Sequence, residues 1–262
     1  MGINNSSEHR VKPLMKSIEN NDENFKRFIA LITDKDLKKP DSLKFYYADK
    51  KESKKEKGLL PTKKQLISLV EYLYKNGQGL KSDIENRQKI FNGDENTKDL
   101  AINIIEHNYP KKCSKAWYIF EGRTYPDFYI EGDDYIIVGE GKWTEPHLTN
   151  ETSYLHIDEK GYGRNQMIRH IQGAINCNKQ NKKIIAFYIV DKEIAIKNNY
   201  YVALDSKNIE ESRMREQLDK EILKIDDAEK EKIIESYYGM ITWQDVEEAL
   251  NLKFRLLKDA PK

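Results

Sequence analysis

Two carboxylates and a lysine lie close together on neighbouring predicted strands, and their types suit metal-assisted chemistry. Glu140 and Lys142 are two residues apart, so on a strand they emerge on the same face. Asp127 lies on the preceding predicted strand, and a reversal of the chain at Gly132 would bring it near Glu140 at one edge of the sheet. Two carboxylates held so close repel each other unless a cation lies between them. The spacing therefore predicts a divalent metal site with a lysine beside it.

Carboxylate oxygens suit Mg²⁺, which keeps several waters and binds through one or two carboxylates together with a substrate phosphate. We expect Mn²⁺ to substitute for it. Lys142 would orient or deprotonate the attacking water, or stabilise charge that grows on the phosphate. The alternative is that Glu140 and Lys142 form an exposed cross-strand ion pair, which would contribute little to stability.

The chain around these residues is predicted to alternate strands and helices. Aromatic and β-branched residues predict three strands joined by tight turns, at 116–120, 124–130 and 135–143. A helix that starts near Gly163 or Arg164 follows, and the hydrophobic run from Lys183 to Val190 predicts a strand buried on both faces. The order helix, three strands, helix, strand predicts an α/β sandwich with a mixed sheet.

Helices dominate the rest of the predicted chain. Before the strands, hydrophobic spacing predicts helices that begin near Asn24, after Thr62, after Ser82 and near Thr97. After residue 205 it predicts one or two charged amphipathic helices over 209–238, and Thr242 resembles the cap of a last short helix. Residues 1–20 are expected to be frayed, and 45–47 to form a small strand. The expected regions are a polar, partly ordered 1–60, an α/β core at 61–205 and a charged helical extension at 206–262.

Pro126-Asp127 and Glu140-Gly141-Lys142, with a β-turn between them, resemble the motif of the PD-(D/E)XK nuclease superfamily. The resemblance covers about residues 96–190, including the order of the elements. It implies a restriction-endonuclease-like α/β/α sandwich with a mixed central sheet, to which this chain adds N- and C-terminal helices. It also implies a Mg²⁺-dependent deoxyribonuclease of a restriction, defence or repair type, with DNA as its partner.

The resemblance also implies a role for each matching residue. The metal ligands would be Asp127, Glu140, and the backbone carbonyl of Gly141. Lys142 would serve the attacking water. Many members have a further acidic ligand on the helix before the first strand, where Glu106 is the best match. Some members add a catalytic glutamine on the helix after the third strand, and Gln166 fits that place.

Several of these residues also have simpler interpretations. Glu106 near the end of a helix would face solvent, and Gln166 in a first helical turn would cap the helix or face water. Three basic residues of the predicted helix after the third strand would either contact phosphate or form the solvent-facing side of that helix, namely Arg164, Arg169 and His170. Beyond the motif, Trp143 is expected in the core, and a substrate groove is the candidate location for Tyr154, His156 and Tyr162.

Composition narrows the function classes. The 262 residues carry a net charge of +1, with 34% charged residues, and no hydrophobic run approaches the length of a bilayer span. We therefore expect a cytoplasmic protein without a membrane partner. Cys113 and Cys177 do not form a Cys-x-x-Cys motif, which disfavours a zinc ribbon. The lysine-rich run at 50–57 contains both positive and negative residues and is interpreted as a solvated loop rather than a phosphate-binding segment.

Two other functions compete with the nuclease. One is a catalytically inactive nuclease-fold module that binds nucleic acid or a protein partner. The other is an unrelated α/β protein in which Asp127, Glu140 and Lys142 are surface charges. A homodimer is left open, because many nucleases of this fold dimerise to cut two strands and the C-terminal helices would serve a dimer or only cap the core.

Overall fold

A mixed five-stranded sheet organises the part of the chain that the structure, a computed structural model, describes. That part comprises residues 7–33, 37, 39–40, 42–49, 52–110, 120–142, 164–197 and 207–254. The strands are β1 (Lys44–Tyr47), β2 (Phe128–Glu131), β3 (Tyr135–Gly141), β4 (Lys183–Val190) and β5 (Tyr237–Thr242). They lie side by side in this order, and β1, β2 and β3 are antiparallel neighbours, whereas β4 and β5 continue parallel to β3.

Helices cover both faces of this sheet. A short π-helical turn, Ser7–Val11, leads into α1 (Lys12–Asn20), α2 (Asp22–Ile32), α3 (Lys63–Asn76), α4 (Glu85–Phe91) and α5 (Glu95–Asn108). The later helices are α6 (Gln166–Cys177), α7 (Lys192–Lys197), α8 (Lys207–Asp219), α9 (Asp227–Ser236) and α10 (Trp243–Leu250). None of the helices in the described ranges is long and apolar enough to cross a membrane.

Alternation along the strands builds two hydrophobic layers. Phe128 and Ile137 face α1, α2 and α10, whereas Tyr129 and Val138 face α6, α8 and α9. Burial of both faces explains why β3 and β4 are almost continuously apolar. The predicted α/β sandwich with a mixed sheet is confirmed at this level.

A third hydrophobic cluster joins α3, α4 and α5, the helices that lie between β1 and β2 in the sequence. Its buried residues include Leu66, Val70 and Leu73 of α3, together with Ala101 and Ile105 of α5. Thr62 caps α3 through a capping box with Gln65, which confirms the helix start predicted there. These helices interrupt the chain between two strands that are neighbours in the sheet.

The N-terminal region differs from the prediction of frayed residues. Residues 7–20 are helical, and Leu14, Met15 and Ile18 of α1 are completely buried against the sheet. Their spacing places them on one side of a helix, which buries enough apolar surface to order the segment. The segment predicted as a small strand is β1, and it pairs with β2.

The strand predicted at 116–120 was expected to be the neighbour of β2, and this prediction was wrong. Residues 116–119 lie outside the described residues, and Phe120 lies in a bend, where it stacks on Phe91. The neighbour of β2 is β1, which comes from much earlier in the chain. The strand predicted from Thr124 begins only at Phe128, because Thr124 forms an isolated bridge with Leu59 instead.

The helices predicted in the C-terminal region are confirmed, but the region also contains a strand that was not predicted. α8 and α9 are the two predicted helices, and Thr242 caps α10 by accepting a hydrogen bond from the Asp245 N–H. Tyr237 and Tyr238, however, belong to β5 rather than to a helix. α9 ends at Ser236, because the backbone of Tyr237 is already extended, and Met240 and Ile241 are buried in the sheet. Both regions outside 61–205 therefore contribute a strand to the sheet.

Candidate active site

The predicted acidic pair lies at the edge where β2 begins and β3 ends. Phe128 pairs with Gly139, so Asp127 comes one residue before β2, beside the last residues of β3. The Gly141 N–H donates a 2.7 Å hydrogen bond to Asp127 Oδ2. A Cβ on Gly141 would lie 2.8 Å from Trp243 Cζ2 and 3.2 Å from Asp127 Oδ2. The absence of a side chain at Gly141 therefore lets the Asp127 carboxylate lie close to the backbone of β3.

Glu140 is buried, and three side chains hold its carboxylate. Lys142 Nζ lies 3.1 Å from Glu140 Oε1, and Gln166 Nε2 donates to the same oxygen over 2.7 Å. Lys142 Nζ also donates to Gln166 Oε1 over 2.7 Å. The three residues form a closed triangle of hydrogen bonds, with Gln166 at the first position of α6. The structure thus brings Gln166 to the predicted site.

His170 holds the other oxygen of Glu140 and was not predicted in this role. Its ring is completely buried, with Nε2 3.1 Å from Glu140 Oε2 and Nδ1 2.7 Å from Thr124 Oγ1. Burial lowers the pKa of His170, although the Glu140 hydrogen bond opposes this. A neutral ring donates from one nitrogen and accepts at the other. We therefore assign the donor to Nε2, towards Glu140, and the Thr124 hydroxyl as donor to Nδ1.

The two acids of the site differ in their ionisation. Burial, and then the negative charge of Glu140, raise the pKa of Asp127 well above its usual range. Burial would also raise the pKa of Glu140, but the Lys142 charge and the His170 hydrogen bond outweigh it and lower that pKa to about 2. The site therefore contains one carboxylate that is already compensated and one that gains most from an added cation.

Glu56 is a third carboxylate near this pair and was not predicted. Burial, and then the charge of Glu140, raise the pKa of Glu56, and its own charge contributes to the raised pKa of Asp127. Backbone hydrogen bonds of 2.8 and 2.9 Å join Leu59 to Thr124 in an antiparallel bridge. Glu56 and Asp127 each lie three residues from this bridge, on the same side of it. The predicted solvated loop at 50–57 therefore adds negative charge to the site.

Glu106 is not brought to the site. It lies near the end of α5, in the helical layer around α3 to α5, with an exposed side chain. Lys63 Nζ donates to its backbone carbonyl over 2.6 Å. Within the described ranges, no hydrogen bond or ion pair joins its carboxylate to Asp127 or Glu140. The prediction relied on α5 leading into the first core strand, and that strand is β1 instead.

The arginines just before α6 and in its first turn neither line a phosphate-binding surface nor face solvent. Arg164 and Arg169 are buried, and both meet the buried carboxylate of Glu121. Arg164 also pairs with Glu221 at 3.3 Å and donates to Gln172. Burial would raise the pKa of Glu121, but the two arginines outweigh it and hold that pKa below its usual value. These pairs anchor the start of α6, which supplies Gln166 and His170.

Comparison with protein-family models, with curated proteins and with solved structures found no match.

Asp127 and Glu140 are a pair rather than a complete metal-binding group. Among the described residues, no three His, Cys, Asp or Glu side chains are arranged to hold a metal ion. The third predicted ligand, Gly141, would contribute its backbone carbonyl. In an extended strand the N–H and C=O of one residue point to the same side, and the Gly141 N–H faces Asp127. The two carboxylates and this carbonyl are oxygen donors, the kind of ligand that a hard cation with part of its water shell prefers.

Four residues named from the sequence lie outside the described residues, namely Trp143, Tyr154, His156 and Tyr162. Cys113 lies outside them as well, whereas Cys177 is exposed at the end of α6.

Asp127→Asn is expected to stabilise the protein at neutral pH. The pKa of Asp127 is raised in the folded protein, whereas in the unfolded chain it is about 4. As pH rises from about 4 through the folded pKa, ionisation of this carboxyl group therefore lowers the free energy of unfolding. Asparagine removes this loss and still accepts the Gly141 hydrogen bond. A gain on the order of 1 kcal/mol would raise Tm by roughly 2–4 °C in a chain of this size. Thermal unfolding from pH 4 to 7 measures it, and the gain should vanish at the acidic end.

Asp133→Asn is the matched control. Asp133 is an exposed carboxylate in the turn at the opposite end of β2 and β3, where it accepts a hydrogen bond from Ser42. Its replacement should leave Tm unchanged at every pH. A lower Tm for Asp127→Asn than for wild type at pH 7 would contradict the assignment of Asp127 as a strained carboxylate.

Proposed function

We propose that the protein is a Mg²⁺-dependent nuclease that hydrolyses phosphodiester bonds in DNA. The observation that carries the proposal is the juxtaposition of Asp127 and Glu140 at one sheet edge, with Lys142 held between Glu140 and Gln166. An uncompensated, half-buried carboxylate beside a compensated one suits a site that binds a cation. A lysine fixed within hydrogen-bond distance of that site suits proton transfer or charge stabilisation at a phosphate.

The topology also supports the restriction-endonuclease-like fold. The order was predicted from the helix near Thr97 and a strand at 116–120. The same order of helix, three strands, helix and strand describes α2, β1, β2, β3, α6 and β4, with α2 and β1 in place of those two elements. The three strands are antiparallel neighbours, and β4 returns parallel to β3 after α6. In this arrangement residues 48–127, including α3 to α5, form an insertion between the first and second strands.

The residues that would hold Mg²⁺ are Asp127, Glu140 and the carbonyl of Gly141. When bound, the ion would supply positive charge for the substrate phosphate and lower the pKa of water. Lys142 would orient the attacking water as the ammonium, or accept its proton as the neutral amine, and Gln166 would keep the Lys142 nitrogen in place. His170 would fix the orientation of Glu140, as partners in the outer shell of a metal site commonly do.

The test is cleavage of plasmid and linear DNA in Mg²⁺, in Mn²⁺ and in EDTA. We expect cleavage with either ion and none in EDTA. The same fragments incubated without protein control for contaminating metal-catalysed damage. Absence of cleavage in both ions, across a range of salt concentrations, would contradict the proposal.

One observation favours an inactive module as the second candidate. Glu140 is already held by three side chains, and Glu106 does not complete the acidic set. Isothermal calorimetry with Mn²⁺ separates the two candidates, because the nuclease requires a metal ion at Asp127. Heat of binding that disappears in Asp127→Asn favours the nuclease, whereas no heat with wild type favours the inactive module.

A further inference from the structure

An exposed aromatic side chain lies next to the candidate active site. Among the described residues, the exposed large hydrophobic side chains are Leu100, Tyr125 and Ile196. Tyr125 is 51% exposed and is two residues from Asp127, so at most roughly 7 Å separates their Cα atoms. Large aromatic rings usually bury most of their surface, and an open ring beside a site offers a flat face on which a planar group can stack.

The backbone beneath Tyr125 is shaped to receive its ring. A Cβ on Gly58 would lie 2.9 Å from Tyr125 Cε1 and 3.0 Å from Arg123 Cδ. The absence of a side chain at Gly58 thus lets the Tyr125 ring and the Arg123 stem lie directly against the chain. Arg123 Nη1 donates to the Gly58 carbonyl over 3.4 Å. Contact with Gly58 covers one side of the ring, and half of the side chain remains open to solvent.

An arginine lies beside the ring. Arg123 is exposed, and its stem and the Tyr125 ring both pack on Gly58. The Lys57 ammonium group is held elsewhere, 4.6 Å from the centre of the Tyr46 ring and 5.6 Å from that of Tyr129. An exposed ring beside an arginine is a combination that binds single-stranded nucleic acid, because bases stack on aromatic rings and phosphates pair with the cation.

We propose that Tyr125 and Arg123 form a binding surface for single-stranded nucleic acid, with one unpaired base stacked on Tyr125. A base in a duplex is already stacked on its neighbours, so the surface favours single strands, frayed ends or flaps. The proposal rests on the nuclease function, since it takes the adjoining phosphate to lie at Asp127 and Glu140. It identifies the substrate class as DNA with an unpaired segment.

Fluorescence anisotropy in EDTA tests this binding apart from cleavage. The probes are a labelled oligothymidylate, an abasic strand of equal length and a duplex of equal length. Wild type is expected to bind oligothymidylate most tightly. Tyr125→Ala should weaken that binding on the order of tenfold and leave the abasic strand unaffected, whereas Tyr125→Phe retains the affinity.

Two further variants keep the test decisive. Gly58→Ala should weaken binding to oligothymidylate in the same direction, because its methyl group displaces the ring and the Arg123 stem. Leu100→Ala removes an equally exposed side chain from α5 and should change nothing. Equal affinity of wild type and Tyr125→Ala for oligothymidylate, or equal affinity of wild type for the abasic strand, would overturn the proposal. The assay contains no metal and measures binding alone. A preference for oligothymidylate that Tyr125→Ala removes would therefore support the binding surface even if wild type fails to cleave DNA.

Discussion

Replacing Lys142 with alanine is expected to lower the rate of DNA cleavage by roughly 10²–10⁴-fold, the range found when a positioned proton-transfer group is removed. The ammonium group is held by Glu140 and Gln166 at 3.1 and 2.7 Å, and its side chain is 15% exposed. Alanine offers no donor or base at that position. The loss should appear in kcat, because the metal ligands and the surface around Tyr125 are unchanged.

The control for this variant is Lys182→Ala. Lys182 is also a mostly buried lysine in an ion pair, 2.9 Å from Glu131, but it lies at the opposite end of the sheet. Its replacement should leave the cleavage rate unchanged. Circular dichroism and thermal unfolding of both variants check that the fold is intact. Cleavage by Lys142→Ala at the wild-type rate would rule out the lysine as part of the active site and, with it, the proposed mechanism.

The core of the candidate site could be predicted because its residues follow a local pattern. Strand alternation and one tight turn are enough to place Asp127 beside Glu140 and Lys142, and the start of the next helix places Gln166. The structure brings all four together. The same local reasoning predicted β4 at its observed boundaries, since a continuous apolar run of eight residues has few alternatives in an α/β protein.

The residues that were missed depend on contacts between distant parts of the chain. β1 pairs with β2 across the inserted helices, and Leu59 pairs with Thr124, which is what brings Glu56 to the site. Hydrophobic periodicity contains no information about such pairings. His170 was missed for a different reason. On a helix with polar residues around it, a histidine is usually solvent-facing, and only the position of Glu140 beneath α6 makes it a buried donor.

The buried charges of α6 show the same limit. Arg164 and Arg169 resemble surface residues in sequence, because arginine is rarely buried without partners. Their partners Glu121 and Glu221 come from two other parts of the chain, on either side of α6 in sequence. The sequence contains four charged residues with no local reason to meet. Their burial is a property of the whole fold, and its energetic consequence can be tested.

Arg164→Met is expected to destabilise the protein by about 3–5 kcal/mol, because it leaves buried carboxylates without their main compensating charge. Arg164 Nη1 lies 2.6 Å from both oxygens of Glu121, and Arg164 Nε lies 3.3 Å from Glu221. Arg169 remains near Glu121 and offsets part of the loss. Chemical unfolding in urea measures the change in the free energy of unfolding.

Arg215→Met is the matched control for this loss. Arg215 also contacts two carboxylates, Glu231 and Glu211, but its side chain is 45% exposed, so its removal should cost at most about 1 kcal/mol. The double variant Arg164→Met/Glu121→Gln should recover part of the stability, since it removes a buried charge together with its partner. If Arg164→Met costs no more than Arg215→Met, the network does not anchor α6. The positions of Gln166 and His170 would then depend on the apolar packing of Met167, Ile168 and Ile171 alone.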